Sequence, residues 1–202
     1  MPTGVPMHDV PQQLFDAAER VLLRHGPAGL TTRAVTAEAG VAKGLVHRYF
    51  ADGDALWAAL VLDRAARLEA RAKVLLGSAG RGTVADHLTD ALVELFSPVA
   101  VAIVGLVVTR DRLRARLRQA GVTGIPLLGE GAAVIRTYLA AEQDQGRLAH
   151  DVDVRTLALA VTGAVHLLCT EREQAPPDRA DVHAIVALVT GSACRASERT
   201  TY

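Results

Sequence analysis

Gly40 separates two short stretches that each carry one apolar face, and this spacing constrains the chain more than any other feature. Thr31 is a good N-cap for a helix from Thr32 to Ala39, because its hydroxyl can accept a hydrogen bond from an orphan N–H of the first turn. Glycine is the residue that takes the left-handed turn out of such a helix. A further helix is expected from about Ala42 to Phe50. Val35, Ala39 and Val41 can pack inward, which leaves Thr32, Arg33, Lys43, Leu45, His47 and Arg48 outside. Two short helices joined by a tight turn form a helix-turn-helix, which holds its second helix at a fixed angle.

The surrounding chain reads as helix after helix, so the expected fold class is all-α. A first helix begins near Pro11, with Asp9 close enough to cap it, and buries Leu14, Ala18, Val21 and Leu22 before Gly26 and Pro27 end it. Asp52 caps a long fourth helix through Leu56, Leu60 and Val61 toward Leu76. Gly77 to Gly82 is a loop, and Ser97-Pro98 opens another helix. In Arg110 to Arg118 arginine recurs at every second position, as in a strand. A helix explains the segment as well, because Leu106, Leu113 and Leu117 then share one face and the arginines form a solvated one. After a break around Pro126, a helix runs from Leu127 to Gln145 and closes at Gly146. Val154 to Glu171 and Asp181 to Ala193 are the last two helices, joined by a loop with Pro176 and Pro177. The expected organisation is a three-helix helix-turn-helix domain over residues 8–56 and a larger helical domain over 57–202.

Composition narrows the function classes. With 202 residues, 50% apolar but only 3% aromatic, Ala, Val and Leu must build most of the core. The 22 basic and 22 acidic side chains cancel, which argues against coating nucleic acid by bulk charge but not against a few well-placed cations. Cys169 and Cys194 lack the paired spacing of a zinc site and read as small buried hydrophobes. His166 and Cys169 share a helical face with no third ligand indicated, so neither a metal nor another cofactor is expected. Neither Gly77 to Gly82 nor Gly129-Glu130-Gly131 carries the Lys-Ser/Thr of a phosphate loop, and no nucleophile elbow or zinc-protease helix is visible, so no enzyme is expected. The apolar runs fall short of the roughly 18 residues of a membrane span, and no signal peptide is visible, which gives a cytoplasmic expectation without a membrane partner.

The helix-turn-helix is the segment that carries a function. A major-groove reader braces its first helix on the backbone and presents the N-terminal half of the second to base edges. Three Lys/Arg stand against one acid, Glu38, between Thr31 and Phe50, the correct sign for meeting phosphate. The run LFDAAERVLLRHGPAGLTTRAVTAEAGVAKGLVHRYFADGDALWAAL resembles the N-terminal domain of the tetracycline-repressor (TetR) family. The matching features are the AA pair, the HG break, LTTRAV, the AGV turn, KG opening the next helix, YF closing it and AL starting the fourth.

The resemblance implies roles for individual residues. Thr31, Thr32 and Arg33 would meet phosphates, and Lys43 and Gly44 would lie close to the groove. Leu45 could touch a thymine methyl, while Val46 packs inward. His47 and Arg48 would contact phosphate or a guanine edge, and the Tyr49 hydroxyl would reach phosphate, with Phe50 in the core. Three positions depart from the family pattern. Ala42 replaces a Ser or Thr cap, His47 replaces a Tyr, and Gly53 replaces a Lys at a spot that Asp52 and Asp54 leave acidic. Those departures keep an alternative open, a helical ligand-binding or protein-interaction module with weak or no DNA binding.

The penultimate helix is apolar nearly all round, so both of its faces need cover. Its Leu157, Ala160, Val161, Gly163, Ala164 and Leu168 are expected, with Val182, Ile185, Val186 and Val189 of the last helix, to form a homodimeric four-helix interface. The small residues among them permit close approach. The resemblance further implies a regulator, a repressor, released from a double-stranded palindromic operator by a small-molecule effector bound in the C-terminal helices. Phe96, Leu106, Tyr138, Thr162 and His166 are the expected lining of that pocket.

Overall fold

The computed structural model describes residues 10–171 and 177–194, and among these the chain is helical, with one isolated antiparallel bridge between Leu148 and Cys194 in place of any strand. Asp9 and Pro176, expected as a cap and a loop residue, lie outside the described residues. The chain divides into two compact units, one of residues 1–63 and 101–125, the other of residues 64–100 and 126–202.

In the first unit α1 (Val10–Gly29) buries Leu14, Ala17, Ala18, Val21 and Leu22, a stripe at helical spacing. Gly26 leaves the helical path at φ 65° and ψ −177°, so the regular helix ends where the HG-Pro sequence predicts. In α2 (Thr32–Ala39) the Thr31 hydroxyl accepts from the Ala34 N–H at 3.1 Å. Gly40, at φ 67°, closes the helix by donating to the Ala37 carbonyl, and Val41 donates to that of Thr36. The next helix is shorter than expected. Ala42 offers no side-chain acceptor, and the chain tightens into a 3₁₀ turn, Lys43–Leu45, before α3 (Val46–Tyr49).

Asp52 then caps α4 (Gly53–Gly77), its Oδ1 accepting from the Ala55 N–H at 2.7 Å, and Leu56, Trp57, Leu60 and Val61 of the first turns are buried. Arg110 interrupts the expected single helix with extended backbone (φ −122°, ψ 99°), dividing it into α6 (Pro98–Thr109) and α7 (Asp111–Gln119). Leu106, Leu113 and Leu117 are all buried, but as residues of two helices rather than one face of one.

The second unit holds α5 (Val84–Leu95), α8 (Leu128–Asp144), α9 (Val154–Glu171) and α10 (Arg179–Thr190). Thr83 and Asp178 cap α5 and α10 through their side-chain oxygens. Leu88, Leu92, Phe96, Tyr138, Val161, Val165, Val182 and Val186 belong to one continuous core. The last helix stops at Thr190, three residues before the expected end, because Ala193 turns away to accept a backbone bond from Ala149.

Candidate functional site

Seven of the nine expected DNA-contact residues are exposed: Thr31, Arg33, Lys43, Gly44, His47, Arg48 and Tyr49. Thr32 and Leu45 are half-buried. Val46 is fully buried, while Phe50 is only half-buried, its ring 6.1 Å from that of Phe15. Gln13 ties α1 to the end of α2 by donating to the Ala39 carbonyl at 2.9 Å. A methyl group added at Gly44 would meet nothing within 4 Å, so that position faces open space.

The charges of this surface are sorted by partner. Glu38, the one acid of the segment, is held by Arg20 at 2.7 Å and Arg24 at 2.6 Å. Their hydrogen bonds keep its carboxyl below the usual range. Among the described residues no ion pair engages Arg33, Lys43 or Arg48. Three cations therefore face solvent uncompensated while the acid is neutralised from α1. That asymmetry gives the surface its positive character despite a net charge of zero.

The start of α4 is not the bare acidic spot that the sequence suggests. The Arg116 guanidinium forks onto both Asp52 oxygens, with Nη2 at 3.1 Å from Oδ2. Its hydrogen bonds, followed by that of the Ala55 N–H, hold the Asp52 carboxyl below its ordinary range. A Cβ at Gly53 would lie 3.1 Å from Thr32 Cγ2 and 3.5 Å from the indole nitrogen of Trp57, so the starts of α2 and α4 are in contact there.

Arg110 is a second tie that sequence reasoning missed. Its Nη2 donates to the carbonyls of Pro27 and Leu30, each at 2.7 Å, and its guanidinium lies 5.9 Å from the ring centroid of the buried Trp57. It thus occupies one carbonyl in the last turn of α1 and one between α1 and α2, where helix ends leave acceptors open. The reading of residues 110–118 as a solvated face holds for the exposed Arg112 and Arg118 and is corrected for Arg110 and Arg116, which engage the Pro27 and Leu30 carbonyls and Asp52; the regular alternation of arginines carried no signal of it.

The second unit contains a cavity of about 370 Å³ lined by residues of α4, α5 and α8. Leu68, Ala72, Leu75, Leu95, Val134 and Ile135 make its walls, with Arg71, His87, Asp90 and Glu94 as the charged or polar groups. Arg71 and Glu94 form an ion pair, and Asp90 accepts from Arg179 at 2.9 Å. Behind His87 runs a buried polar chain. Its Nδ1 is 3.0 Å from the Tyr138 hydroxyl, which donates to Glu142, a carboxylate with no solvent exposure. Glu142 also accepts from the Gly80 N–H at 3.2 Å and pairs with Arg147 at 3.3 Å. Arg147 in turn donates to the carbonyls of Arg81 and Gly82, which fixes the loop between α4 and α5.

None of the five expected lining residues lines this cavity. Phe96 is buried against His166, ring centroids 5.8 Å apart, and Leu106 belongs to the core of the first unit. Tyr138 sits one hydrogen bond behind the wall, and Thr162 is buried with its hydroxyl unpartnered among the described residues. Of the expected dimer positions, Leu157, Val161, Val182 and Val186 are consumed by the unit's own core. Ala160 and Gly163 are exposed, and Ala164, Leu168, Ile185 and Val189 are half-buried. The large side chains on the outer faces are Leu159, Leu167 and Leu188, which are 55%, 61% and 82% exposed. Among the described residues no group of three His, Cys, Asp or Glu is placed to hold a metal, and no single helix is long and apolar enough to cross a membrane.

Residues 14–60 match the family model described as bacterial regulatory proteins, tetR family. No curated protein matches the chain. Solved structures do. A protein of Mesorhizobium loti assigned to the TetR family of transcriptional regulators shares the fold at TM-score 0.71 and 14% identity, over 92% of this chain and 96% of that one. The transcriptional regulator FadR of Bacillus subtilis, solved with stearoyl-CoA, gives TM-score 0.64 and 17% identity over 88% and 96%. SmeT, the repressor of a Stenotrophomonas maltophilia multidrug efflux pump, gives 0.65 and 17% over 94% and 92%. Residues 14–60 thus match the N-terminal domain of the tetR family of bacterial regulatory proteins, and the chain along most of its length shares its fold with these solved structures.

Proposed function

We propose that the chain is a cytoplasmic homodimeric repressor that leaves a palindromic operator when a small molecule occupies its second unit. DNA reading is assigned to residues 8–56, and effector binding and dimerisation to residues 57–202. The observation that carries the first assignment is the set of three cations, Arg33, Lys43 and Arg48, that pair with no acid among the described residues, on a helix-turn-helix whose acid is already neutralised. Lys43, Gly44, Leu45 and His47 open the recognition segment toward the groove. Thr31, Thr32 and Tyr49 hold the phosphates on either side.

Dimerisation is supported by the outer faces of α9 and α10. Leu159, Leu167 and Leu188 make too apolar a surface to leave in water, and Ala160 and Gly163 between them allow a second helix close approach. A two-fold pair of heads would meet successive major grooves about 34–36 Å apart. The effector site is assigned to the cavity of α4, α5 and α8, with apolar walls and a few polar groups, as such sites generally have. An effector releases DNA only by binding the non-reading conformation more tightly, so the linkage is reciprocal. α4 begins in one unit and ends in the other, and is the element through which such a bias would pass.

Fluorescence anisotropy against duplexes from the DNA flanking the protein's own gene tests the reading. Saturable, salt-sensitive binding with a preference for one palindrome is expected. Absence of binding across the panel at low salt would leave the alternative of a helical module without DNA. Sedimentation of L159E L167E L188E as a monomer is expected if these faces hold the dimer, and an unchanged dimer would overturn that part.

A further inference from the structure

The ion pair between Asp52 and Arg116 carries an inference that rests on the DNA-reading assignment and goes beyond it. Asp52 has a fixed structural duty as the cap of α4. It also stands three residues after Tyr49, at most about 11 Å along the chain from the end of the recognition helix. At about 0.01 M salt the Debye length is about 30 Å, so a free carboxylate there would be felt by the phosphates that the neighbouring residues meet. The contact of Gly53 with Thr32 brings the same spot against the start of α2, the other phosphate-facing segment. A cap that is electrostatically wrong for DNA is thus built into the head.

Arg116 answers it from outside the helix-turn-helix. It reaches Asp52 across 64 residues of sequence and engages both carboxylate oxygens. Its helix, α7, is anchored in the same unit by the buried Leu113 and Leu117 and by the Arg110 tie. Both partners remain solvent-accessible, 37% and 54% exposed, and exposed pairs of this kind contribute little to stability. Their consequence is the local charge. We propose that Arg116 is a positioning residue for DNA recognition, which screens the Asp52 carboxylate from the DNA backbone and thereby sets the affinity of the head.

The pair can be taken apart without losing the cap, because Asn caps a helix about as well as Asp. The measurement is anisotropy with a mixed-sequence 30-base-pair duplex at low salt, since the backbone contribution is independent of sequence. Arg116→Gln is expected to weaken binding about three- to tenfold, from repulsion of about a factor of two per nearby phosphate. Arg116→Lys, which keeps the charge, stays within about twofold of the wild type. Asp52→Asn frees the guanidinium and tightens binding, with a salt dependence steeper by about one unit per head. The double variant D52N R116Q returns to near wild-type affinity. Thermal melting of each variant distinguishes loss of charge from loss of fold. A wild-type chain that binds no duplex at low salt overturns the DNA reading and this inference with it. Binding by the wild type and R116Q with equal affinity overturns the inference alone. So does a double variant as weak as R116Q, since Arg116 would then act through packing.

Discussion

The two units treat charge in opposite ways. The head keeps its ionic groups at the surface, pairs Glu38 and Asp52 with arginines from other helices, and leaves Arg33, Lys43 and Arg48 free to meet phosphate. The second unit takes a carboxylate, Glu142, entirely out of water and surrounds it with Tyr138, Gly80 and Arg147. Surface charge tunes binding at small cost to stability, whereas a buried charge holds architecture together and is intolerant of change. A single residue type thus does different work according to depth.

Breaking the buried network gives the largest expected effect. Glu142→Ala removes the buried acceptor that Arg147, the Tyr138 hydroxyl and the Gly80 N–H share, and should cost about 3–5 kcal/mol in urea unfolding. Glu38→Ala in the head should cost less than about 1 kcal/mol by the same measurement. If the two losses were equal, the contrast between the units would be wrong. Next comes Arg110→Ala, which frees the carbonyls of Pro27 and Leu30 and uncovers Trp57. A loss of about 1.5–3 kcal/mol is expected, together with weaker DNA binding. Arg110→Lys should rescue in part, because an ammonium can donate to both carbonyls but does not supply the planar guanidinium beside the Trp57 ring.

Thr31→Ala removes the cap of α2 and should cost about 1 kcal/mol, read as a lowered melting temperature. The smallest expected change in stability, and the sharpest test of the DNA surface, is Gly44→Ala. Nothing in the chain opposes the added methyl, so stability should rise by about 0.4–1 kcal/mol. Duplex affinity should fall, because the methyl projects where the groove must approach. A G44A variant with wild-type affinity would move Gly44 out of the interface.

What the sequence reveals depends on the range of the interaction. Thr31, Gly40 and Asp52 act within four residues of themselves, and the bounds of α2 and the start of α4 follow from them. The replacement of a cap by Ala42 was visible too, but its structural result, a 3₁₀ turn and a four-residue helix, was not. Arg110 finds its carbonyls 83 and 80 residues back, and nothing local distinguishes it from its exposed neighbour Arg112. On α9 the apolar residues surround the helix, so periodicity establishes the helix and leaves the direction of its outer face undetermined. Leu157 and Val161 turn inward while Leu159 and Leu167 turn out. Cavity residues are hidden for a related reason. Phe96 and Ile135 are both buried apolar side chains, and only the gaps between helices decide which one lines a space.

The head is discontinuous along the chain, and this bears on the order in which the protein is made. Residues 1–63 emerge first, but their unit is completed by residues 101–125. At about 5–20 residues per second, translation takes several seconds to cover the interval. Until then the carbonyls of Pro27 and Leu30 have no guanidinium to accept from, and Asp52 has no counter-charge. The residues most recognisable in the sequence are therefore synthesised before the helices that complete their support. A fragment cut after Asp63 would carry the whole motif and lack both of the arginine ties that α6 and α7 bring to it.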